Sequence, residues 1–500
     1  MNDLVNLSEN QSSSDPVTGR FYIKTFGCQM NVADSERMAS LLAEQGLEPT
    51  EEARDADVVI INGCTVREKA VHKALSTLGQ LREIKNRKKK SPPIIGIGGC
   101  VGQLDKATLF KKAPGLDFVF GTDTIDNLPE IIHRVKNGEK HVVYADFDTS
   151  MDYSTETKVF GHKAQAFVNI MKGCDKYCTY CIVPYTRGKE KSRTIDEVVD
   201  DIARLVATGV REVTLLGQNV NSFGKGNSNQ KNRQPMELHN VIGKVGPRAG
   251  EENFPQLLRA IDSDPRCDAL RRIRFTSSHP LDFSDELIEC YAPASQGGVS
   301  RLSPYLHLPV QSGSNQVLQK MGRHHKIEGY FAQMDRLREI CPDVGLSTDL
   351  IVGFPTETEE DFQETLRLLD RVQFDNIYAF AYSPRPGTRA AKLPDDVSAK
   401  VKNERLNHLL KYQLEIAEKL YKTRVGKVME ILVEGEAKNQ KMASTSSIVG
   451  RVWTGKTPCH RVVNFISDSP RSLVGQFVQV KITEATGLSL QGELITGELQ

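Results

Sequence analysis

The chain has 500 residues, with 65 Lys and Arg against 64 Asp and Glu and a formal net charge of +1, which excludes a global basic field for nucleic acid and leaves any RNA site local. Its length predicts roughly two to four domains. Its ten cysteines are too sparse for a secreted disulfide scaffold, so they imply a reducing compartment.

Residues 1–19 are polar and carry Asp3, Glu9 and Asp15, with no apolar stretch for a secretory signal. This predicts a disordered leader of a cytoplasmic protein. No apolar run approaches the roughly 20 residues of a membrane span. Residues 20–138 then alternate, with strands expected at 21–27, 57–62, 93–99 and 117–121 and helices at 33–45 and 66–86. The pattern is that of a parallel α/β domain. Cys28, Cys64 and Cys100 each fall just past one of the first three strands, behind Gly27, Gly63 and Gly99. Parallel sheets bind ligands outside those strand ends, and glycine permits tight turns there. The placement points to three thiolates converging on one site, with packing cysteines as the alternative. The basic run at 85–90 suits either a solvated helix end or phosphate contacts.

Cys174, Cys178 and Cys181 follow in a C-x3-C-x2-C spacing, with Tyr180 just before the third. Three thiolates so close suit a soft metal or an iron–sulfur cluster. No further cysteine or histidine follows for many residues, which disfavours a closed zinc site. Three ligands on a four-iron cube leave one iron open for a substrate or second cofactor. The spacing and its aromatic resemble the radical S-adenosylmethionine (SAM) superfamily. That resemblance implies an iron that chelates SAM and an electron that cleaves it to a 5'-deoxyadenosyl radical.

Residues 160–398 alternate again, with strands expected at 167–172, 212–216, 272–276, 305–308, 346–352 and 377–382. Helices at 194–207, 327–340 and 359–372 lie among them. Six such units fit a partial (β/α)6 barrel with its active face at the carboxyl ends of the strands. Gly217-Gln-Asn219, Ser277-Ser-His279, the 308–313 loop, Asp349 to Glu357 and the 382–388 loop stand at those ends. In the superfamily such loops surround SAM, which implies contacts from Tyr180, Gln218, Asn219, Gln311 and Gly353; loop capping is the alternative. Arg187 and Arg193 are candidates for a phosphate or the SAM carboxylate, against a structural role. His307 reads as a satisfied core histidine, and His324 and His325 as solvated. Residues 224–253 form an irregular insertion, read as disordered. Cys267, Cys290, Cys341 and Cys459 sit in no motif.

A linker helix at 399–423 leads to residues 424–496, with strands expected at 428–433, 448–453, 461–465, 477–482 and 488–494. This predicts a small antiparallel barrel of the OB type. It resembles the TRAM domain, an RNA-binding appendage. Arg461 and Phe465 then suit phosphate contact and base stacking, and Trp453 is either core or a second stacking ring.

Two separate three-cysteine sets, with Thr25-Phe-Gly-Cys-Gln-Met-Asn31, Asn62-Gly-Cys-Thr-Val-Arg-Glu-Lys-Ala70 and Gly98-Gly-Cys100, resemble the methylthiotransferases. The resemblance implies an N-terminal α/β domain, a radical SAM barrel and a C-terminal TRAM barrel. It implies two [4Fe-4S] clusters: an auxiliary one on Cys28, Cys64 and Cys100, and the radical SAM cluster on Cys174, Cys178 and Cys181. Gln29-Met-Asn31, Val66-Arg-Glu-Lys-Ala70 and Pro184-Tyr-Thr-Arg-Gly188 look like the branch acting on N6-isopentenyladenosine at tRNA position 37. Other branches act on threonylcarbamoyladenosine or on an aspartate of a ribosomal protein. The implied partners are tRNA and an electron donor such as flavodoxin or ferredoxin, with the enzyme a monomer.

Overall fold

A computed structural model describes residues 19–65, 68–87, 92–147, 156–157, 164–225, 252–440 and 450–495. The expected leader, most of the insertion and part of the basic run lie outside these residues. The chain divides into two compact units, Met1–Asp148 and Thr149–Gln500.

The first unit is built on six parallel strands: β1 (Gly19–Phe26), β2 (Leu47–Pro49), β3 (Val58–Gly63), β4 (Ile94–Gly98), β5 (Phe118–Phe120) and β6 (Val142–Tyr144), in the order β2-β1-β3-β4-β5-β6. Every residue of β3 is buried, as a continuous apolar run must be when helices cover both faces. One face packs Met38, Leu42, Phe118 and Phe120; the other packs Ile61, Leu78, Ile97 and Val101. A Cβ on Gly96 or Gly98 would lie 2.0 Å from Phe118 Cζ or 2.1 Å from Phe120 Cζ, so both rings lie over a strand that has no side chain there. The helix expected at 33–45 runs from Gln29 to Glu44, directly after Cys28. Its first turn mixes Gln29 and Asn31 with Met30 and Val32, so a clear apolar period begins a turn late. Strands β2 and β6 escape the sequence because each is three residues long and, unlike the apolar Phe118–Phe120 of β5, interrupted by Glu48-Pro49 or exposed at Val143. The sheet therefore extends beyond residue 138.

The second unit begins with β7 (Gln165–Asn169) and a two-residue antiparallel pair, β8 (Met171–Lys172) with β9 (Lys191–Ser192). Strands β10 (Glu212–Leu216) and β11 (Arg272–Phe275) join β7 in one parallel sheet, ordered β11-β10-β7. Strands β12 (Tyr305–His307), β13 (Gly345–Val352) and β14 (Asn376–Ala381) form another, ordered β12-β13-β14. A parallel bridge between Ile273 and Leu302 connects the halves into a partial barrel of six parallel strands. The outer helices start on capping boxes: Thr194 with Glu197, Asn253 with Gln256, and Thr358 with Asp361. Val213, Leu215, Ile273, Leu306, Leu346 and Leu350 face them in one core. Many of the alternate positions, facing the barrel interior, are polar, among them Glu212, Thr214, Arg272, Arg274, Ser347 and Asp349.

The helix Ala399–Lys422 leads to a closed barrel of β15 (Val428–Glu436), β16 (Arg451–Lys456), β17 (Val462–Ser467), β18 (Phe477–Ala485) and β19 (Leu490–Leu494), ordered β15-β16-β17-β19-β18. It is not wholly antiparallel: β17 and β19 pair in parallel, which closes the ring. Two expectations are corrected. Phe465 lies in the small barrel's core and is not open to a base; Trp453 lies there too, as the core alternative for that residue has it. Arg461 is buried, its Nε 2.6 Å from Asp375 Oδ1 just before β14.

That ion pair belongs to a floor under the larger barrel. Arg272 donates to Glu430 Oε1 at 2.8 Å, and Arg274 donates to the Thr457 and Pro458 carbonyls at 2.9 Å each. The His460 ring stacks on Tyr305 at 4.5 Å. Burial, with Lys456 and Arg274 adding to it, drives the His460 imidazole down to about 2. Above its ordinary value this costs nothing. As pH falls below it, only the unfolded chain takes up the proton, so stability falls. Denaturant unfolding from about pH 7 to about pH 5 should lose roughly 1–2 kcal/mol that the His460→Gln variant retains.

Candidate active site

Register brings the first three cysteines to one end of one sheet. Phe26 pairs with Gly63, Asn62 with Gly98, and Gly63 bridges to Gly99. The chain then leaves the sheet at Cys28, Cys64 and Cys100; the last two are buried and Cys28 is exposed. A Cβ on Gly27 would lie 2.9 Å from the Cys64 Cβ, so the two loops approach closely only because Gly27 is glycine. Two asparagines support them. Asn31 Nδ2 donates to Asn62 Oδ1 at 3.0 Å, and Asn62 Nδ2 donates to the Asn31 carbonyl at 2.8 Å. Asn31 Oδ1 accepts from the Cys28 amide at 3.4 Å and lies 3.5 Å from its Sγ. Both asparagines belong to the motifs quoted above, but nothing in the sequence shows that they bond each other.

Gly99, at φ 75°, leaves room for this pair: a Cβ there would lie 2.3 Å from Asn62 Oδ1 and 2.9 Å from the Gly63 carbonyl oxygen. Gly99→Ala should displace Cys100 and lower the iron bound after anaerobic reconstitution by about half. Unchanged iron would show that Cys100 needs no such fit.

The second set sits on a loop clamped by β8 and β9. A Cβ on Gly173, at φ 78°, would lie 1.9 Å from the Lys189 carbonyl oxygen, so the loop can close only on glycine. The Cys181 amide donates to the Cys178 carbonyl at 3.0 Å, and the Thr179 amide to the Met321 carbonyl at 2.8 Å. Arg323, buried and absent from the sequence reading, brings Nη1 to 3.8 Å from Cys178 Sγ. Burial raises the Cys174 thiol strongly and pushes Cys181 up to about 12. Burial also raises the Tyr180 phenol beside Arg323 and the two thiols.

Among the described residues, no three His, Cys, Asp or Glu side chains are set to hold one metal ion. Neither triad is therefore a preformed mononuclear site. Each offers thiols alone, the donor set of an iron–sulfur cluster. In the second set, a cationic group bound to the desolvated thiols would displace their protons to solvent, with Arg323 beside Cys178 favouring the thiolate form.

Around the second set, buried polar atoms face a common end of the strands without a hydrogen-bond partner: Gln218 Nε2, Asn219 Oδ1, Asn221 Oδ1, Ser278 Oγ, His279 Nε2 and His325 Nε2. Their grouping on these loops fits a polar ligand that would supply the missing bonds. Gln218 Oε1 accepts from the Gly173 amide. Asn219 Nδ2 donates to Asp282 Oδ2 at 2.7 Å. Asp282 also holds Lys176 at 2.7 Å and Lys225 at 2.8 Å, tying the cysteine loop to the end of β11.

Gln311, at φ 80°, exchanges backbone hydrogen bonds with Asp349 and Ile351 at 2.9 Å each. Gly353 donates its amide to Glu357 Oε1 at 2.7 Å, and a Cβ there would lie 2.3 Å from Lys402 Cγ. Its φ of 68° favours glycine, and the Lys402 stem packs into the space a Cβ would take. His324 is exposed, but His325 is not solvated: its Nδ1 lies 3.4 Å from the Arg323 carbonyl oxygen, and burial drives the ring down to about 3. Arg193 is structural, paired with the buried Asp201 at 2.8 Å. His307 is half-buried and bonds Ser347 rather than standing in the apolar core.

Comparison with known proteins follows these divisions. Residues 20–121 match the uncharacterized protein family UPF0004, residues 168–369 the radical SAM superfamily and residues 422–495 the TRAM domain. The chain is 41% identical over 498 residues to a tRNA-2-methylthio-N(6)-dimethylallyladenosine synthase of Bdellovibrio bacteriovorus, covering 99% of this chain and 100% of the relative. It is 42% identical over 479 residues to a protein of the same name from Francisella philomiragia, covering 95% and 99%. The structure of the radical S-adenosylmethionine methyltransferase TsrM from Kitasatospora setae, with cobalamin and a [4Fe-4S] cluster bound, shares the fold at TM-score 0.51 and 14% identity, over 75% of this chain and 77% of that one.

Proposed function

The chain belongs to the family of the tRNA-2-methylthio-N(6)-dimethylallyladenosine synthases, and on that premise we propose that it is a radical SAM methylthiotransferase modifying C2 of N6-isopentenyladenosine in tRNA. The observation that carries this reading is the pair of thiol triads, each at strand carboxyl ends of its own sheet. One iron–sulfur cluster on each triad, with SAM at the second, would supply the electron, the radical, the sulfur and the methyl group. In the net change a C2–H bond would break and a C2–S bond form, the hydrogen leaving on 5'-deoxyadenosine, the remaining electron passing to iron–sulfur, and a second SAM giving its methyl to the sulfur.

The chain's own residues position and exclude. Cys28, Cys64 and Cys100 would hold the auxiliary cluster, oriented by Asn31 and Asn62. Cys174, Cys178 and Cys181 would hold the other, with Arg323 beside Cys178 offsetting thiolate charge. Gln218 and Asn219 offer unpartnered amide atoms to a bound cofactor. Tyr180, Gln311 and Gly353 frame the same end of the barrel, where buried walls keep water from a radical. A monomer working in the cytoplasm with a flavodoxin- or ferredoxin-like donor completes this reading; separately, no helix among the described residues is long and apolar enough to cross a membrane.

The test is anaerobic reconstitution, addition of SAM, reductant and isopentenylated tRNA, and mass spectrometry of the digested nucleosides. The expected product is 2-methylthio-N6-isopentenyladenosine. If 5'-deoxyadenosine forms without it, the radical chemistry stands and the acceptor is another.

A further inference from the structure

The inner wall of the barrel's second half carries a patch that neither cysteine set uses. Asp349 pairs in register with Tyr378, and His307 with Ser347. These four side chains therefore share the face opposite the core residues Leu346, Leu350 and Ile377. A hydrogen-bonded chain backs the carboxylate. The Tyr305 hydroxyl lies 2.6 Å from Ser347 Oγ, Ser347 Oγ lies 2.8 Å from His307 Nδ1, and His307 Nε2 lies 3.5 Å from Asp349 Oδ1. With Tyr305 donating to Ser347 and Ser347 donating to Nδ1, the ring proton sits on Nε2, facing Asp349. At 3.5 Å this contact steers the carboxylate without closing a short hydrogen bond on it.

Asp349 keeps 34% of its side chain exposed, and Tyr378 is 40% exposed. The Tyr378 ring meets His307 edge-on, 5.7 Å between centroids at 80°, which fixes its plane. Two residues further along the same strand face, Ile351 packs on the small cluster of Phe354 and Tyr382 that also takes Tyr180 of the cysteine loop. An acceptor-only group and an accessible aromatic ring thus stand side by side, adjoining the loop that would hold the radical-generating cluster.

We propose that this patch receives the substrate base, with Tyr378 stacking on the adenine and Asp349 accepting the N6–H of the alkylated amine. The proposal rests on the tRNA reading above. An N6-alkylated adenine keeps one N–H donor, which a carboxylate can accept. Guanine and uracil would turn carbonyl oxygens toward the same carboxylate and be repelled. A ring face suits any base and supplies affinity, while the carboxylate supplies the choice.

The experiment uses the full-length reconstituted protein with SAM, an unmodified anticodon stem-loop RNA and two modified ones. The first modified RNA carries N6-isopentenyladenosine, the second N6-methyl-N6-isopentenyladenosine, which has no N6–H. Asp349→Ala should weaken binding of the first RNA roughly tenfold to a hundredfold. The wild-type protein should lose as much on the second RNA, and the variant should lose nothing more. Asp349→Asn, which keeps a carbonyl acceptor, should recover part of the affinity. SAM affinity and RNA-free 5'-deoxyadenosine formation should not change. If Asp349→Ala weakens both RNAs alike, or weakens SAM binding, the carboxylate does not read N6 and the proposal is wrong. If the wild-type protein binds the isopentenylated RNA no better than an unmodified one, the acceptor assignment itself fails and this proposal falls with it.

Discussion

Replacing Cys174, Cys178 and Cys181 together by alanine is expected to abolish 5'-deoxyadenosine formation. Replacing Cys28, Cys64 and Cys100 should leave that reaction intact and abolish only the methylthiolated nucleoside. The asymmetry follows from the two scaffolds. The first set hangs from β1, β3 and β4 and is supported by Asn31 and Asn62, all within one compact unit. The second is clamped by β8 and β9 and backed by Arg323 within the other. Removing either set takes away thiols without removing a core side chain of the other unit, so each variant should fold and bind about half the iron. Product formation should fall by at least ~10³-fold in both variants, since no residual route to a C2–S bond exists without either cluster. The decisive comparison is SAM cleavage in the N-terminal triple variant, measured without tRNA by chromatography of 5'-deoxyadenosine. Cleavage lost along with product would mean that the two sets form one functional unit.

Much of this site is legible in the sequence because its ligands are local or sit at strand ends. The helices Ile327–Ile340 and Glu359–Val372 and the strand Glu212–Leu216 match the sequence reading residue for residue. Their apolar spacing is regular; acidic residues open the two helices. Side-chain direction across long sequence separations is less legible. Arg461 and Phe465 look like an RNA-contacting pair by residue type. Yet Val463 and Phe465 share one face of a strand, and Arg461, two residues before Val463, points the same way. That period already places the guanidinium inside, and the structure supplies its partner, Asp375, 86 residues earlier. Asp349 shows the converse. In β13, polar Ser347 and Asp349 alternate with Leu346, Thr348 and Leu350, a pattern that marks a strand lining a barrel interior. Arg323 carries no such signal. It follows the short helix Asn315–Lys320 outside any periodic element, and only the fold brings it to Cys178.

Arg461→Ala is expected to lower stability by about 3–5 kcal/mol, because it strands a buried carboxylate rather than deleting an exposed charge. Both side chains are almost fully buried, and Asp375 Oδ2 also accepts from the Leu346 amide at 3.0 Å, so the carboxylate cannot turn out to water without disturbing β13. The loss should release the small barrel from the amino end of the larger one, where Arg272, Arg274 and His460 make the neighbouring contacts. Thermal unfolding should shift down, and limited proteolysis should cut near residues 423–427, between the linker helix and β15. His460 stacks on Tyr305, the first member of the chain that ends at Asp349, so loosening the floor should also weaken binding of the isopentenylated RNA. A phosphate-binding arginine behaves differently. Its removal leaves stability alone, weakens all RNAs uniformly and reduces the slope of log affinity against log salt by about 1. A normal melting temperature with that reduced slope would return Arg461 to the RNA surface. A double variant, Arg461→Met with Asp375→Leu, separates the charge from the packing. If the cost lies in the stranded carboxylate, the apolar pair should recover most of the stability that Arg461→Ala loses.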